Sequence, residues 1–227
     1  MKIKNLHNWD VSYTKARELQ TKLAKKVIFA PMEKNPKLIA GLDCAFSKDG
    51  KKILAAIVIF QFPELKIVET SEACAKVNFP YIPGLLSFRE ASVCIAAAEK
   101  LKKTPDCFII DGQGIAHPRG LGLAAHLGLF FNKSTIGCAK SRLCGEHEQP
   151  KSQKGEYALL KKSKSQEIIG AVVRTRSNIK PVFVSVGNKC LLDDAIRIVL
   201  ACTTRYRLPE PTRKAHEYVS KLKLSIS

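Results

Sequence analysis

The stretch Leu38-Ile-Ala-Gly-Leu-Asp-Cys-Ala-Phe46 is an apolar run that carries a single carboxylate, Asp43. An apolar run of this length, bounded by turn residues, predicts a β-strand. A carboxylate inside a central strand is costly unless it is paired, hydrogen-bonded or bound to a metal ion. The alternative that the sequence leaves open is an edge strand in which Asp43 faces solvent.

Two further strand-like runs follow, Ile53 to Phe62 and Ile67 to Phe79. The linkers between the three runs are short, which favours antiparallel hairpins, and Asp49-Gly50 is a strong turn signal. A helix predicted over Phe88 to Lys103 leads to the apolar run Cys107 to Ile110. A run this short and wholly apolar is typical of a strand that is buried on both faces.

The order strand, strand, strand, helix, strand predicts an α/β fold in which a mixed central sheet carries helices on both faces. Because no linker separates two cores, we expect a single domain over residues 1–227, with its core over about 35–220. The other predicted elements are a basic amphipathic helix over about 11–27, a helix over 121–131, a strand over 135–143, an exposed loop or flap over 151–166, a hairpin over 167–176 and 181–189, and helices over 191–203 and 211–222.

The charge balance points to a polyanionic partner. The chain has 227 residues, with 38 Lys and Arg against 20 Asp and Glu, which leaves a net charge of +18. The main candidates for such a surface are nucleic acid and anionic membrane. The longest unbroken apolar run, Ile53 to Phe60, is far shorter than the roughly 20 residues of a membrane-spanning helix. We therefore expect nucleic acid and no membrane partner.

The cysteines and the first residues indicate the compartment. None of the eight cysteines forms a C-x-x-C pair, and most lie in apolar runs, where free cysteine behaves as a small core residue. The segment Met1 to His7 has no apolar stretch that resembles a secretory signal. Because reduced cysteines are typical of the cytoplasm, we expect a cytoplasmic protein.

Three acidic residues lie where they can meet at one edge of the sheet: Asp43 in the first strand, Glu90 in the following helix and Asp111 after the fourth strand. Each also has a simpler interpretation. Asp111 can be part of an ordinary Asp-Gly turn. Ser87 and Glu90 have the spacing of a capping box at a helix start. The combination is what favours a site, because open α/β sheets place ligands at the carboxyl ends of their strands.

Converging carboxylates repel one another unless cations compensate for their charge. Hard oxygen ligands suit Mg²⁺ or Mn²⁺, and such metals can bind a scissile phosphate and activate a water molecule. A basic surface together with clustered carboxylates therefore suggests metal-dependent cleavage of phosphodiester bonds.

At these residues the sequence resembles the endonuclease V family of deoxyinosine-specific repair nucleases. The matching stretches are Gly41-Leu-Asp43, Phe79-Pro-Tyr-Ile-Pro-Gly84, Phe88-Arg-Glu90, Ile110-Asp-Gly-Gln-Gly-Ile-Ala-His-Pro-Arg119, Gly122-Leu-Ala-Ala-His-Leu-Gly128 and Gly137-Cys-Ala-Lys-Ser141. The resemblance implies a ribonuclease H-like fold, with which the predicted element order is compatible. It also implies hydrolysis of the second phosphodiester bond 3′ to a deoxyinosine, with Mg²⁺ as the cofactor or Mn²⁺ in its place.

The same resemblance assigns catalytic roles to five residues. It makes Asp43 and Asp111 metal ligands, with Glu90 completing the acidic cluster, and it places Lys140 and His216 near the active site. A lysine or histidine beside a scissile phosphate can stabilise charge in the transition state or protonate a leaving oxygen. Without the resemblance, His216 would be an ordinary exposed histidine on a basic helix.

Pro80-Tyr81-Ile82-Pro83 has a mechanical interpretation. Prolines on both sides restrict the backbone, so Tyr81 and Ile82 can be held out as a stiff wedge. An apolar wedge inserted at a base step can fill the place of an everted base. The alternative is a rigid surface loop that packs Tyr81 onto the protein's own core.

A base pocket is expected next to this wedge. The glycines among its predicted residues would let the backbone come close to an everted hypoxanthine. His117 matches a family histidine near the site and is a possible phosphate or site contact, although a local turn-capping role is equally open. The predicted pocket residues are Leu86, Gly112, Gly114, Gly122 and Gly137.

The leading hypothesis is thus a DNA repair endonuclease that acts, as a monomer, on inosine-containing DNA. One alternative is an endoribonuclease specific for inosine in RNA, since the reader of a 2′-hydroxyl cannot be identified from one chain. The other is a non-catalytic nucleic-acid-binding protein of the same fold, which would explain the charge but not the three acids together.

Overall fold

A computed structural model describes residues 1–32 and 36–225. The described residues form five helices and eight strands: α1 (Tyr13–Ala24), β1 (Leu38–Phe46), β2 (Lys52–Gln61), β3 (Lys66–Lys76), α2 (Leu86–Glu99), β4 (Cys107–Ile110), α3 (Leu123–Phe131), β5 (Ser134–Ala139), β6 (Tyr157–Lys161), β7 (Ile168–Val173), β8 (Val182–Asn188), α4 (Leu192–Ala201) and α5 (Glu210–Ser225). Residues 35 and 227, which bound the predicted core and domain, lie outside this range, and the single-domain organisation stays a prediction. No helix in the described ranges has the length and apolar character that crossing a membrane requires.

All eight strands belong to one sheet, in the order β3-β2-β1-β4-β5-β8-β7-β6. Strand β1 pairs antiparallel with β2 and parallel with β4, which in turn pairs parallel with β5. The predicted mixed sheet is therefore confirmed. Because β1 lies inside the sheet and Asp43 is only 8% exposed, the edge-strand alternative for this residue is wrong.

Helices cover both faces of the sheet, as predicted. Successive side chains of a strand point to opposite faces, so each strand contributes to two cores. One set of β2 side chains packs with α2 and α3, and the alternate set packs with α5; the first set is Ile53, Ala55, Ile57 and Ile59, and the second is Leu54, Ala56, Val58 and Phe60. In β4, Phe108 faces α2 and α3 while Ile109 faces α4.

The predicted flap over residues 151–166 is partly wrong. It contains β6 (Tyr157–Lys161), which pairs antiparallel with β7 and forms an edge of the sheet. An edge strand buries little, and here Leu160 is buried while Tyr157 and Leu159 stay exposed. The flanking lysines and the single buried side chain hid this strand in the sequence.

The capping-box interpretation of Ser87 and Glu90 is also wrong. Helix α2 begins at Leu86, so Ser87 lies inside the helix and cannot be its N-cap. Its hydroxyl instead donates a hydrogen bond to Nδ1 of His126 at 3.1 Å. Glu90 is consequently free of any capping role.

A pair of histidines, the half-buried His7 and the fully buried His126, joins the N-terminal segment to α3. His126 Nε2 lies 2.9 Å from Nε2 of His7, whose Nδ1 donates to the carbonyl of Asn8. His7 Nε2 is therefore the acceptor, and His126 keeps its hydrogen on Nε2. Burial lowers the pKa of His126 to about 3, so both rings are neutral in this arrangement.

Gly41 fixes the distance between β1 and α5. A Cβ atom at this position would lie 1.9 Å from the carbonyl oxygen of Pro211, at the start of the helix. The helix backbone therefore rests directly on the strand, and only glycine permits this approach. The same helix carries His216, so the close approach of the helix to Gly41 also positions that side chain.

We expect Gly41→Ala to lower the free energy of unfolding by about 3 kcal/mol, the upper end of the overpacking range, because the clash is with backbone that no rotamer change relieves. Urea unfolding measures this loss. Gly50→Ala is the matched control: Gly50 has φ +70 and open space around it, so only the left-handed conformation should cost about 1 kcal/mol. Equal losses of unfolding free energy in the two variants would contradict the close contact between α5 and β1 at Gly41.

Candidate active site

Asp43 and Asp111 lie side by side on neighbouring parallel strands. Leu42 pairs with Ile110 in the sheet, and the amide of Asp111 donates to the carbonyl of Leu42 at 3.0 Å. Asp43 and Asp111 come directly after these paired residues, so their carboxylates lie next to each other in the sheet. The register of β1 against β4 therefore sets the separation of the two carboxylates.

His216 joins this pair from α5. Its Nδ1 donates a hydrogen bond to Oδ2 of Asp43 at 2.7 Å, and the rest of the ring is half exposed. One ligand atom from each of Asp43, Asp111 and His216 lies within 4.8 Å of the others. Within residues 1–32 and 36–225, these three form the cluster whose spacing can hold a metal ion.

The electrostatics of the site is dominated by crowded carboxylates. Burial, and next the negative charge of Asp111, raise the pKa of Asp43. Burial and then the charge of Asp43 raise the pKa of Glu90 to about 8. The compensating cation is Lys140, whose ammonium pairs with Oδ2 of Asp111. The site thus holds more carboxylate than its own cations offset.

This arrangement fits a divalent cation. Glu90 is buried, and its carboxylate accepts no hydrogen bond from the part of the chain that the structure describes. A buried carboxylate without a partner is unfavourable in the absence of a cation. Carboxylate oxygens are the ligands that Mg²⁺ and Mn²⁺ prefer, and one imidazole is compatible with Mn²⁺.

The structure brings the predicted site residues together, but it groups them differently from the prediction. The prediction took Asp43, Asp111 and Glu90 as the ligands. The structure groups His216 with the two aspartates and sets Glu90 beside them as a buried carboxyl group. Since α5 lies far along the chain from β1, only the folded structure shows this contact.

A cavity of about 390 Å³ opens beside the acids. Asp111 and Lys140 line one part of it, and Tyr81, Ile82 and Pro83 line another. Tyr81 is 69% exposed, so the alternative in which it packs onto the protein's own core is wrong. Pro80 is exposed next to it at the start of the predicted wedge.

Three of the predicted pocket residues line this cavity, namely Leu86, Gly112 and Gly122. Gly114 and Gly137 are not among the residues that line it. A Cβ at Gly137 would lie 2.4 Å from the amide nitrogen of Gly114, so these two glycines allow close backbone packing behind the cavity wall.

The carbonyl of Gly84 anchors the loop that follows the wedge. Gln20 Nε2 donates to it at 3.0 Å and Arg119 Nη2 at 2.6 Å. Gln20 further donates to the carbonyl of Leu121 at 2.8 Å and accepts from Arg119 Nε. Two side chains thus hold one carbonyl at the base of the wedge.

His117 therefore has the local role that the sequence left open. Its Nδ1 accepts from the amide of Arg119 at 3.1 Å, which caps the turn. Burial, and next the charge of Arg119, lower the pKa of His117 to about 4, so the ring is neutral at pH 7. A neutral, buried ring lines the cavity but brings no positive charge to a phosphate.

Gln20 was not found by the sequence analysis. It is 1% exposed and lies on the inner face of α1 with Ala16 and Leu23. A lone amide on the apolar face of an amphipathic helix was the available signal, because a buried amide requires hydrogen-bond partners.

The chain matches the family model for endonuclease V over residues 21–217. The endonuclease V of Dehalococcoides mccartyi (strain ATCC BAA-2100 / JCM 16839 / KCTC 5957 / BAV1) is 45% identical over 222 residues, which cover 98% of this chain and 99% of the relative. The chain belongs to the endonuclease V family. As a member of that family it is a nuclease.

Solved endonuclease V structures have the same fold. The crystal structure from Streptomyces avermitilis matches with a TM-score of 0.91 at 36% identity and covers 100% of both chains. The Ciona intestinalis endonuclease V, in complex with a 24mer DNA containing an inosine followed by a ribo-adenosine, matches with a TM-score of 0.83 at 28% identity and covers 94% of this chain and 98% of that chain. The ribonuclease H-like fold that the resemblance implied is thus confirmed.

The acidic cluster predicts a Mn²⁺ site that can be measured without substrate. We expect Asp111→Asn to weaken Mn²⁺ binding, followed by electron paramagnetic resonance, by more than about tenfold, because even outer partners of a metal site contribute that much. Asp193→Asn, which removes an exposed carboxylate from the start of α4, is the control and should bind normally. Unchanged binding by the Asp111 variant would exclude this site.

Binding should also release a proton from Glu90. Since its pKa of about 8 lies above the ordinary 4.5, Glu90 is protonated at pH 7 without a cation, and a nearby cation lowers that pKa. Calorimetry in two buffers of different ionisation enthalpy detects this release. Glu90→Gln should abolish most of it.

Proposed function

We propose that this chain is a DNA repair endonuclease that hydrolyses the second phosphodiester bond 3′ to a deoxyinosine. The observation that carries the proposal is that Asp111, a member of the acidic cluster, and its ion-pair partner Lys140 both line the cavity beside Tyr81. A base held in that cavity lies next to groups that suit phosphate chemistry. Membership of the endonuclease V family supports the same reaction.

The cofactor of this proposal is Mg²⁺, with Mn²⁺ able to substitute. Asp43 and Asp111 would hold it, with Glu90 as the neighbouring carboxylate available to complete the site. When bound there, the metal supplies Lewis-acid charge for the scissile phosphate and lowers the pKa of water. Its positive charge would also relieve the carboxylate crowding that raises the pKa of Glu90.

Lys140 and His216 have distinct roles in this mechanism. The Lys140 ammonium, held by Asp111, stabilises the negative charge that develops on the phosphate oxygens. Asp43 accepts from Nδ1 of His216 and so orients the ring, and the doubly protonated form of the ring would give its Nε2 proton, on the half-exposed side, to the leaving oxygen. Asp43 is therefore both a metal ligand and the residue that orients this histidine.

The wedge and the cavity would select the base. Chemistry on a nucleotide inside a duplex requires eversion, and the exposed Tyr81 can occupy the vacated position while Ile82 packs against the apolar cluster around Phe79 and Phe88. Leu86, Gly112 and Gly122 would contact the everted base. The neutral ring of His117 would form part of the wall.

The remaining features of the proposal concern the partner and the compartment. The Ciona intestinalis relative was solved with inosine-containing DNA, and inosine-containing DNA is the substrate proposed for this chain. We propose that the protein works as a monomer in the cytoplasm. All eight cysteines are free, which is consistent with a reducing compartment.

A nicking assay on an inosine-containing duplex tests the function. With Mg²⁺ or Mn²⁺ we expect cleavage at the second bond 3′ to inosine and none on an unmodified duplex. Asp43→Ala and Asp111→Ala should retain substrate binding and lose cleavage by at least about 10³-fold, as expected when a ligand of the metal ion is removed. Undiminished cleavage by either variant would contradict the mechanism.

The same assay separates the two nucleic-acid hypotheses. Paired oligonucleotides that differ only in ribose or deoxyribose at the nucleotides flanking inosine would show which sugar is preferred. Clear preference for ribose would replace the DNA repair proposal with an endoribonuclease. Lack of cleavage with both metals on both sugars would favour a non-catalytic binder.

Gln20 is proposed as a positioning residue for the wedge. Gln20→Met keeps the size of the side chain but removes the bonds to Gly84, Leu121 and Arg119. We expect kcat on the inosine duplex to fall by about 10-fold, the equivalent of one buried hydrogen bond of about 1.4 kcal/mol, with little change in KM. The fluorescence of 2-aminopurine next to inosine should report less eversion. Loss of thermal stability with normal eversion would indicate a merely structural role.

A further inference from the structure

Helix α1 presents a second open groove on its outer face, away from the acidic cluster. The groove, called the α1 groove here, has a volume of about 570 Å³. Its lining consists of seven residues of α1 and its C-terminal end and one residue from the turn after β4. They are Tyr13, Thr14, Arg17, Glu18, Thr21, Lys22, Lys25 and Arg119.

The positive charges of the α1 groove are not neutralised locally. In the described part of the chain, neither Lys22 nor Lys25 has an acidic partner within 4.0 Å. The one acid of the groove, Glu18, pairs with Lys15 at 3.1 Å. Burial and the positive charge of Arg17 lower the pKa of Arg119, which shows that like charges face one another across the groove.

The donors of the α1 groove are arranged for an extended anion. The groove runs along α1 from Thr14 to Lys25, a span of about 16 Å, with Arg17, Lys22 and Lys25 as its cations on the helix and Glu18 neutralised by Lys15. That length equals about five base-pair steps of a duplex. Tyr13 accepts from Arg17 at 3.1 Å, so its own hydroxyl hydrogen is free to point outwards. Cations and hydroxyls are the usual protein contacts to phosphate oxygens.

The α1 groove is mechanically connected to the wedge through Arg119. This side chain lines the groove and also donates to the carbonyl of Gly84, directly after the wedge. Gly84 has φ +78, and a Cβ there would lie 2.7 Å from Arg119 Nη2. On its inner face α1 packs Ala16 against Phe79, which precedes the wedge. Groove and wedge therefore form one rigid unit.

We propose that the α1 groove docks the sugar–phosphate backbone of one duplex arm of the substrate, on the wedge side of the lesion. This inference rests on the proposed function and adds a surface outside the catalytic cavity. Its cations contribute affinity that is independent of the base, while the Arg119 link sets the distance between the docked backbone and Tyr81.

The salt dependence of binding tests the proposal. The protein is titrated with an inosine duplex in the absence of divalent metal, so that no cleavage occurs, over a range of salt concentrations. Each phosphate contact adds about 0.9 to the slope of log affinity against log salt. Removing Arg17, Lys22 and Lys25 together, as R17A/K22A/K25A, should therefore reduce the slope by about two to three units.

The matched control removes three charges at the opposite edge of the sheet, as K66A/K102A/K103A. These lysines are exposed: Lys66 is the first residue of β3, and Lys102 and Lys103 lie between α2 and β4, before the strand whose other end leads to Asp111. We expect their removal to change the slope by less than about one unit. Equal slopes for the two triple variants, with both retaining the wild-type melting temperature, would overturn the proposal.

Trimming the duplex identifies the arm. The affinity of the wild-type protein should fall when one side of the inosine is shortened below about five base pairs, and the R17A/K22A/K25A protein should be insensitive to that trimming. At saturating substrate, kcat should stay within about twofold while KM rises, because the groove contributes uniform binding. Equal sensitivity of both proteins to trimming on either side would contradict the groove.

Failure of this proposal can be distinguished from failure of the proposed function. If the wild-type protein does not nick inosine DNA, the proposed function is wrong, whatever the slopes are. If it nicks inosine DNA but the groove variant keeps the wild-type slope, only the docking surface is wrong.

Discussion

Repulsion between the buried carboxylate of Asp43 and the half-buried carboxylate of Asp111 is the constraint around which this molecule is arranged. Asp43 and Asp111 lie on adjacent parallel strands because Leu42 and Ile110 pair in the sheet, so the backbone fixes their proximity. In a medium that screens poorly, such neighbours are unfavourable without positive charge. The ammonium of Lys140 and the ring of His216 approach from two other elements and offset part of that cost. The residual negative charge is what a cation would bind.

The same constraint explains why the sheet and α5 must be in contact. His216 reaches Asp43 only because α5 rests directly on β1 at Gly41. The helix is held there by the alternate face of β2, with Leu54 and Ala56 against Val219. Packing that is apolar and remote from the acids thus sets the position of one polar contact. A change in that packing would alter the chemistry without touching a charged group.

Much of this could be predicted because the signals are local. The bounds of β1 and β4 agree with the sequence prediction, since each is an apolar run bounded by polar turn residues. The mixed sheet followed from linker lengths and element order. The contact of His216 with Asp43 could not be predicted, because it joins positions 173 residues apart through the packing of α5. The role of Ser87 was missed for a similar reason: its partner, His126, lies on another helix.

The stiffness of the wedge has a consequence for the search along DNA. Because the carbonyl of Gly84 is held by two side chains, bending of the loop absorbs little of a force on Tyr81. The deformation must then occur in the nucleic acid. A stiff wedge deforms less than a weakened base pair does, so it opens weak pairs more readily than stable ones. Damaged positions are therefore distinguished by how easily the pair opens, before any hydrogen bond to the base is made. Recognition would depend first on how easily the base pair opens, and on contacts to the base itself only after the base has left the stack.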